Sequence, residues 1–230
     1  MRIDTVQFGG RYYERYMPDL FHALMCIIKE QGQLRQFSIV KEGYPTEFYG
    51  IISALESQKN SLQELLIEKC AYSTEFENHL SPSVQNITYL NISYIEFSTQ
   101  LFELIGNLQK LQFLSLWCYV DHIPDEDMKI QVKQFSEILP LTLQYFDLED
   151  NWLGLYSEIF LNHCNAPLKK LLIYYLDNEK ISKALIKFCK RNRALNYVGI
   201  SRCLKLDDKI RKEVEEYVTL VPHEHIIVNC

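Results

Sequence analysis

Residues 62–72 read Leu62-Gln63-Glu64-Leu65-Leu66-Ile67-Glu68-Lys69-Cys70-Ala71-Tyr72. Apolar side chains stand at positions 1, 4 and 6 of this stretch, and a cysteine stands at position 9. Positions 4 and 6 alternate with period two, which puts both on one face of a strand. The same spacing returns along the chain. It recurs as Leu34, Phe37, Ile39; Ile87, Leu90, Ile92; Leu111, Leu114, Leu116; and Leu143, Phe146, Leu148. Two more copies are Leu168, Leu171, Ile173 and Leu195, Val198, Ile200, and the N-terminus fits through Ile3, Val6 and Phe8. First positions lie between 24 and 32 residues apart, a period of roughly 27.

Between the extended stretches the apolar spacing becomes helical. Asp19 to Gln31 carries Leu20, Phe21, Leu24, Ile27 and Ile28 at helical intervals, with Asp19 as a cap after Pro18. Thr46–Gln58, Thr99–Gly106, Asp125–Leu139, Tyr156–His163, Asn178–Arg191 and Asp207–Tyr217 repeat the theme. A strand followed by a helix, many times over, gives parallel strands joined by right-handed crossovers. No such unit buries both its strand face and its helix face alone, so each needs its neighbours. The expected organisation is one continuous domain over residues 1–230.

Composition narrows the function classes. The chain has 230 residues, 47% hydrophobic and 23% charged, which is a folding sequence. Thirty acidic residues against 24 basic give a net charge of −6, which argues against nucleic acid or acidic lipid as the main partner. Seven cysteines are an odd number, and none makes a C-x-x-C pair. Free thiols in a reducing compartment are expected, and the expected location is cytoplasmic or nuclear. Met1 to Asp4 runs straight into a repeat without a secretory leader, and the longest apolar run, Leu20 to Ile28, is too short to span a bilayer. Sequons at Asn86 and Asn91 overlap an expected strand and are read as unglycosylated.

The period near 27, the strand–helix alternation and the Cys at position 9 resemble the ribonuclease-inhibitor-like class of leucine-rich repeats. The resemblance spans essentially the whole chain. It implies a solenoid, or horseshoe, of about eight repeats, with parallel strands on the concave face and helices on the convex face. The ninth position of that class is usually Asn or Cys, whose side chain satisfies the loop leaving the strand. Here it reads Arg11, Glu42, Cys70, Ile95, Tyr119, Asn151, Leu176 and Cys203. The irregular spacing and the C-terminal part are similar to the repeat half of fungal F-box/leucine-rich-repeat proteins. That likeness implies substrate recognition for a ubiquitin ligase. The F-box itself, a helical segment ahead of the repeats, has no counterpart. Met17-Pro18-Asp19-Leu20 reads as the start of the first repeat's helix. Strand-like sequence at both ends, with a last strand expected near His225 to Val228, points to a truncated chain.

No catalytic motif is found: there is no phosphate-binding glycine loop and no H-E-x-x-H, and only eight glycines occur. The expectation is no enzyme, no cofactor and no metal. His223-Glu224-His225 is the one close histidine pair, read as a surface strand over a metal site. Asp125-Glu126-Asp127 and Glu149-Asp150 read as solvated loop charge.

Positions 3, 5 and 7 of each strand point away from the core. Aligned across repeats, they place Tyr89, Phe113 and Tyr145 on consecutive rungs at position 3, with Tyr197 further along. Trp117 and Tyr174 stand at position 7, and the small Asn91 and Ser115 at position 5. Exposed aromatic patches mark interaction surfaces, and Tyr and Trp dominate interface energetics. The candidate partner-binding residues on the concave face are therefore Tyr89, Phe113, Trp117, Tyr145, Tyr174 and Tyr197. An acidic rim of Glu64, Glu68, Asp147 and Glu149 favours a protein target with Lys or Arg beside its apolar anchor. The expected function is a protein-binding module, the substrate-recognition part of an F-box-type adaptor. Other ubiquitin-ligase subunits are partners if an F-box lies upstream. The alternative is a stand-alone scaffold or inhibitor with no ubiquitin role.

Overall fold

The described residues of the computed structural model form nine strands and seven α-helices, with a helix between consecutive strands everywhere except between the third and fourth. These residues are 6–7, 17–43, 48–70, 85–120, 123–148, 152–176, 179–202 and 208–226. Side chains are described for all of them except 6, 7, 17, 18, 20, 41–43, 48, 49, 69, 70, 148, 152, 174, 175, 201 and 202. Two units divide the chain, Met1–Leu111 and Gln112–Cys230.

In the first unit the strands are β1 (Val6–Gln7), β2 (Gln36–Gly43), β3 (Glu64–Cys70) and β4 (Tyr89–Glu96). The described helices are α1 (Met17–Glu30), α2 (Phe48–Leu55) and α3 (Thr99–Asn107). A 3-10 turn, Glu56–Gln58, extends α2. Each strand pairs in parallel with the next in sequence, β1 with β2, β2 with β3 and β3 with β4. Gln36 faces Glu64 and Glu64 faces Tyr89, so position 3 aligns with position 3, as the repeat spacing requires.

The N-terminal repeat departs from that register. Val6 pairs with Ile39, a position-6 residue, so β1 lies two residues off the frame set by Ile3, Val6 and Phe8. β1 is two residues long, too short for its own apolar pattern to hold a register.

The second unit continues the scheme. Its strands are β5 (Phe113–Tyr119), β6 (Tyr145–Leu148), β7 (Lys170–Tyr175), β8 (Tyr197–Arg202) and β9 (Thr219–Pro222). Its helices are α4 (Asp125–Ile138), α5 (Ser157–His163), α6 (Glu179–Arg191) and α7 (Asp208–Glu215). Again every strand pairs in parallel with its successor.

β9 was not anticipated. Tyr197 pairs with Thr219 and Val198 with Leu220, which makes a further rung. The last described strand therefore lies at 219–222, and His223–His225 is a 3-10 turn, not a strand. Pro222 ends the strand pairing, because it has no N–H to donate. Residues 227–230, where part of the expected last strand falls, lie outside the described residues.

The core lies between strands and helices. Leu65, Ile67, Leu90, Ile92, Leu114, Phe146, Leu171 and Val198 are all fully buried. Each stabilises the fold by roughly 1.5–3 kcal/mol of burial. Phe146 of β6 touches both neighbouring helices, with ring centroids 6.0 Å from Phe135 and 5.1 Å from Phe160. On α6 the buried set Ile181, Ala184, Leu185, Phe188 and Cys189 follows the 3.6-residue period of one helix face. Ser98 caps α3 by accepting from the Leu101 N–H at 3.2 Å.

Asp125, Glu126 and Asp127 form the first turn of α4 and not a loop. Three carboxylates there suit the positive end of the helix dipole. Lys129 binds two of them, Asp125 at 2.6 Å and Glu126 at 2.7 Å.

Consecutive rungs are also joined through their loops. Gln58, only 2% exposed, donates to the carbonyls of Ile28 and Gln31 at 2.9 and 2.8 Å. In the second unit Asn192 donates to the carbonyls of Ala166 and Leu168 and accepts from the Ala194 N–H. Arg191 donates to the carbonyls of Leu161 and Cys164, both at 2.8 Å. These side chains, which satisfy loop backbone, sit before the strand. Of the three expected ninth-position matches, Asn151, Cys203 and the Cys70 side chain lie outside the described residues. Ile95 and Leu176 hold the ninth position as buried apolar plugs, 0% and 3% exposed.

Candidate protein-binding face

Strand alternation sends positions 3, 5 and 7 to the face opposite the helices. In β5 the alternation is complete. Phe113, Ser115, Trp117 and Tyr119 are half-buried, and Leu114, Leu116 and Cys118 between them are buried.

The first unit presents a polar version of this face. The Gln36 amide donates to Glu64 at 2.6 Å, and Asn91 donates to Glu68 at 3.2 Å. Two acidic residues of the expected rim are thus held by amides on neighbouring rungs. Tyr89 stands half-buried on β4, beside Glu64. Further along β4 the alternation slips at Tyr94, which is 38% exposed and has a positive φ of 65°.

The second unit presents an apolar version. Phe113 and Tyr145 occupy paired positions, with ring centroids 6.1 Å apart and planes tilted by 39°. Tyr145 does not lie open as the sequence suggested. It is 7% exposed and packs with Leu172 and Ile226, while Phe113 and Val221 lie against the cluster. The cover comes from the segment after β9. Past Pro222 the chain turns over the sheet, and the Ile226 N–H donates to the His223 carbonyl at 3.0 Å. Gly199 leaves room for it. A Cβ there would stand 2.8 Å from Ile226 Cδ1 and 3.3 Å from the His223 Cα.

The remaining candidates are scattered. Trp117 is half-buried at the far end of β5, and Tyr197 is 43% exposed on β8. The side chain of Tyr174 and all of Glu149 lie outside the described residues. Asp147 accepts from the Ser115 hydroxyl at 3.2 Å. Leu172, Val221, Gly199 and Ile226 were not singled out from the sequence. The available signal was Leu172 at an outward position with a glycine, Gly199, on the next rung.

Other chemistry is sparse. Cys26, Cys118, Cys164 and Cys189 are free thiols. Burial pushes Cys164 up to about 12 and Cys189 up to about 11, so both stay protonated at neutral pH. In the 3-10 turn His223 and His225 do not share a side, as they would on a strand. Among the described residues no group of three or more His, Cys, Asp or Glu could hold a metal ion. No described helix is long and apolar enough to cross a membrane. A surface groove between α6 and α7 is lined by Glu179, Lys183, Lys209 and Glu213. Its charges are engaged in part, since Glu179 and Lys183 pair at 2.6 Å.

No family model matches the sequence, and no curated protein matches it either. A protein from Bacteroides fragilis, solved by crystallography as a structural genomics target, is similar in fold. The likeness has a TM-score of 0.51 at 16% identity and covers 96% of this chain and 74% of that one. At that identity the match concerns the fold alone. The parallel strands with intervening helices are consistent with a repeat solenoid.

Proposed function

We propose that the chain is a leucine-rich-repeat protein-binding module that holds a protein target on the strand face opposite the helices. The observation that carries this reading is the alternation in β5, which leaves Phe113, Ser115, Trp117 and Tyr119 half-exposed in a row. Aromatic side chains with two rotatable angles give large contact area at low entropic cost, which suits them as anchors. Asp147, paired with Ser115 on the next strand, adds negative charge, so the target carries Lys or Arg near its apolar anchor. Within this reading the module is the substrate-recognition part of an F-box-type ubiquitin-ligase adaptor.

The test has two arms. Partners captured by the wild-type chain are compared with those captured by Trp117→Ala and Tyr197→Ala, with circular dichroism verifying the fold. Loss of the same partners from both variants supports the face, and unchanged capture removes it. The ubiquitin role is tested by reading the transcript upstream of Met1. An F-box in frame supports it. Its absence, together with no ligase subunit among the captured proteins, leaves a stand-alone scaffold or inhibitor.

A further inference from the structure

The cluster on the outward face of the second unit is a small second core, built on the side of the strands that the helices do not cover. Tyr145 and Leu172 are 7% and 4% exposed, a degree of burial that outward positions on strands do not ordinarily reach. Ile226, which directly follows a three-residue 3-10 turn, packs with them in the same buried cluster. The seat has a defined floor and walls. Tyr145 and Leu172 stand on β6 and β7, Phe113 and Val221 flank them on β5 and β9, and Gly199 on β8 supplies the gap. The gap is specific, since any side chain at 199 would meet Ile226, Leu172 and the His223 backbone within 3.3 Å.

We infer that this seat is the apolar anchor site of the binding face, and that Ile226 is a built-in occupant which a partner must displace. The inference rests on the reading of the chain as a protein-binding module and names the partner chemistry. The partner presents a single aliphatic side chain, of about the size of isoleucine, on a turn. Among the described contacts, the Ile226 N–H is satisfied within its own turn and makes no ladder bond to β8. A tethered occupant has a high local concentration, so it screens out weak ligands while yielding to a longer partner that adds contacts elsewhere on the face.

The probe is a fluorescein-labelled peptide with the sequence of residues 219–226, and binding is read by anisotropy. Wild type and Ile226→Ser are compared as full chains, with the fold checked by circular dichroism. The vacated seat in Ile226→Ser binds the peptide about tenfold or more tighter than wild type does. A peptide with serine in place of the isoleucine loses that gain, and so does the double variant Ile226→Ser/Gly199→Val. Equal binding by folded wild type and Ile226→Ser, or by the two peptides, overturns the proposal. Should Ile226→Ser fail to fold, hydrogen exchange on wild type decides. A displaceable occupant exchanges its Ile226 amide about a hundredfold faster than Val198 in the sheet. Matching rates would make Ile226 an integral part of the core and overturn the proposal. Peptide binding that depends on Ile226, with partner capture indifferent to Trp117 and Tyr197, keeps the seat and removes only the wider face.

Discussion

The side-chain oxygen of Gln58 accepts a hydrogen bond from the backbone N–H of Leu34 at 3.0 Å, across 24 residues of sequence. With the two carbonyls that its amide reaches, one buried side chain satisfies three backbone groups at the end of α1 and in the loop after it. Gln58→Leu keeps the volume and removes all of this. It leaves the Leu34 N–H buried without that acceptor. The expected loss is about 1–3 kcal/mol, read as a lower urea midpoint with an unchanged slope. A loss within error would mean that water replaces the amide there.

Tyr94 holds a left-handed backbone conformation, φ 65°, in which a Cβ crowds the following carbonyl. Glycine removes that crowding. Tyr94 is 38% exposed, so glycine also gives up the buried part of the ring, which offsets some of that relief. Tyr94→Gly is expected to be neutral or to stabilise by up to about 1 kcal/mol, whereas the bulky, β-branched Tyr94→Val destabilises. Thermal denaturation of both variants checks the order.

Thiol reactivity separates the cysteines. Cys164, held at about 12 by burial, and Cys189, at about 11, resist iodoacetamide in the native protein at mildly alkaline pH. Of the four described cysteines, exposed Cys26 is alkylated first, and Cys118, buried, is protected with the other two. Peptide mapping after brief labelling, with and without denaturant, reads this out. Native labelling of Cys164 would show that α5 opens locally.

The start of α4 makes a pH-dependent contribution. Hydrogen bonds from Lys129 and then Tyr156 lower the Asp125 carboxyl below its ordinary 3.8. A group lowered in the folded state contributes stability that is present above its unfolded value. That contribution is lost as pH falls through the folded value. Lys129 is raised, chiefly by its bond to Asp125, so its share persists below its ordinary 10.5 and is lost only above the folded value. The stability gap between wild type and Asp125→Asn, measured in urea, is therefore present near neutrality. It narrows on acidification below pH of about 4.

Much of this architecture is legible in the sequence, because positions 4 and 6 of every repeat are decided by burial alone. Leu65 and Ile67, or Leu171 and Ile173, announce both the strand and its inward face. The helices are equally plain where a long apolar stripe exists, as in α6. The ninth strand is not, since Thr219 to Pro222 is short and its rung lacks a leucine at the first position. β1 is misread for a related reason: two residues of pairing outvote a three-residue pattern. On the outward face, aromatic residues at the right positions are visible, and Phe113 and Tyr145 do meet. That Tyr145 is covered is not readable, because the cover arrives from Ile226, 81 positions further along the chain. Nor is the role of Gln58, which looks like any polar residue at a helix end until its partners in the preceding loop are in place.

Hydrogen-bonded rungs in each unit are close in sequence, from 22 positions apart for Tyr197 and Thr219 to 33 for Val6 and Ile39. Every described ring within a unit is of similar size, and closure entropy changes only slowly with length. No joint is then privileged as a kinetic bottleneck on topological grounds. Nucleation can start wherever local side chains are stickiest and zip outward in both directions, which ties the speed of folding to the best single pair of rungs.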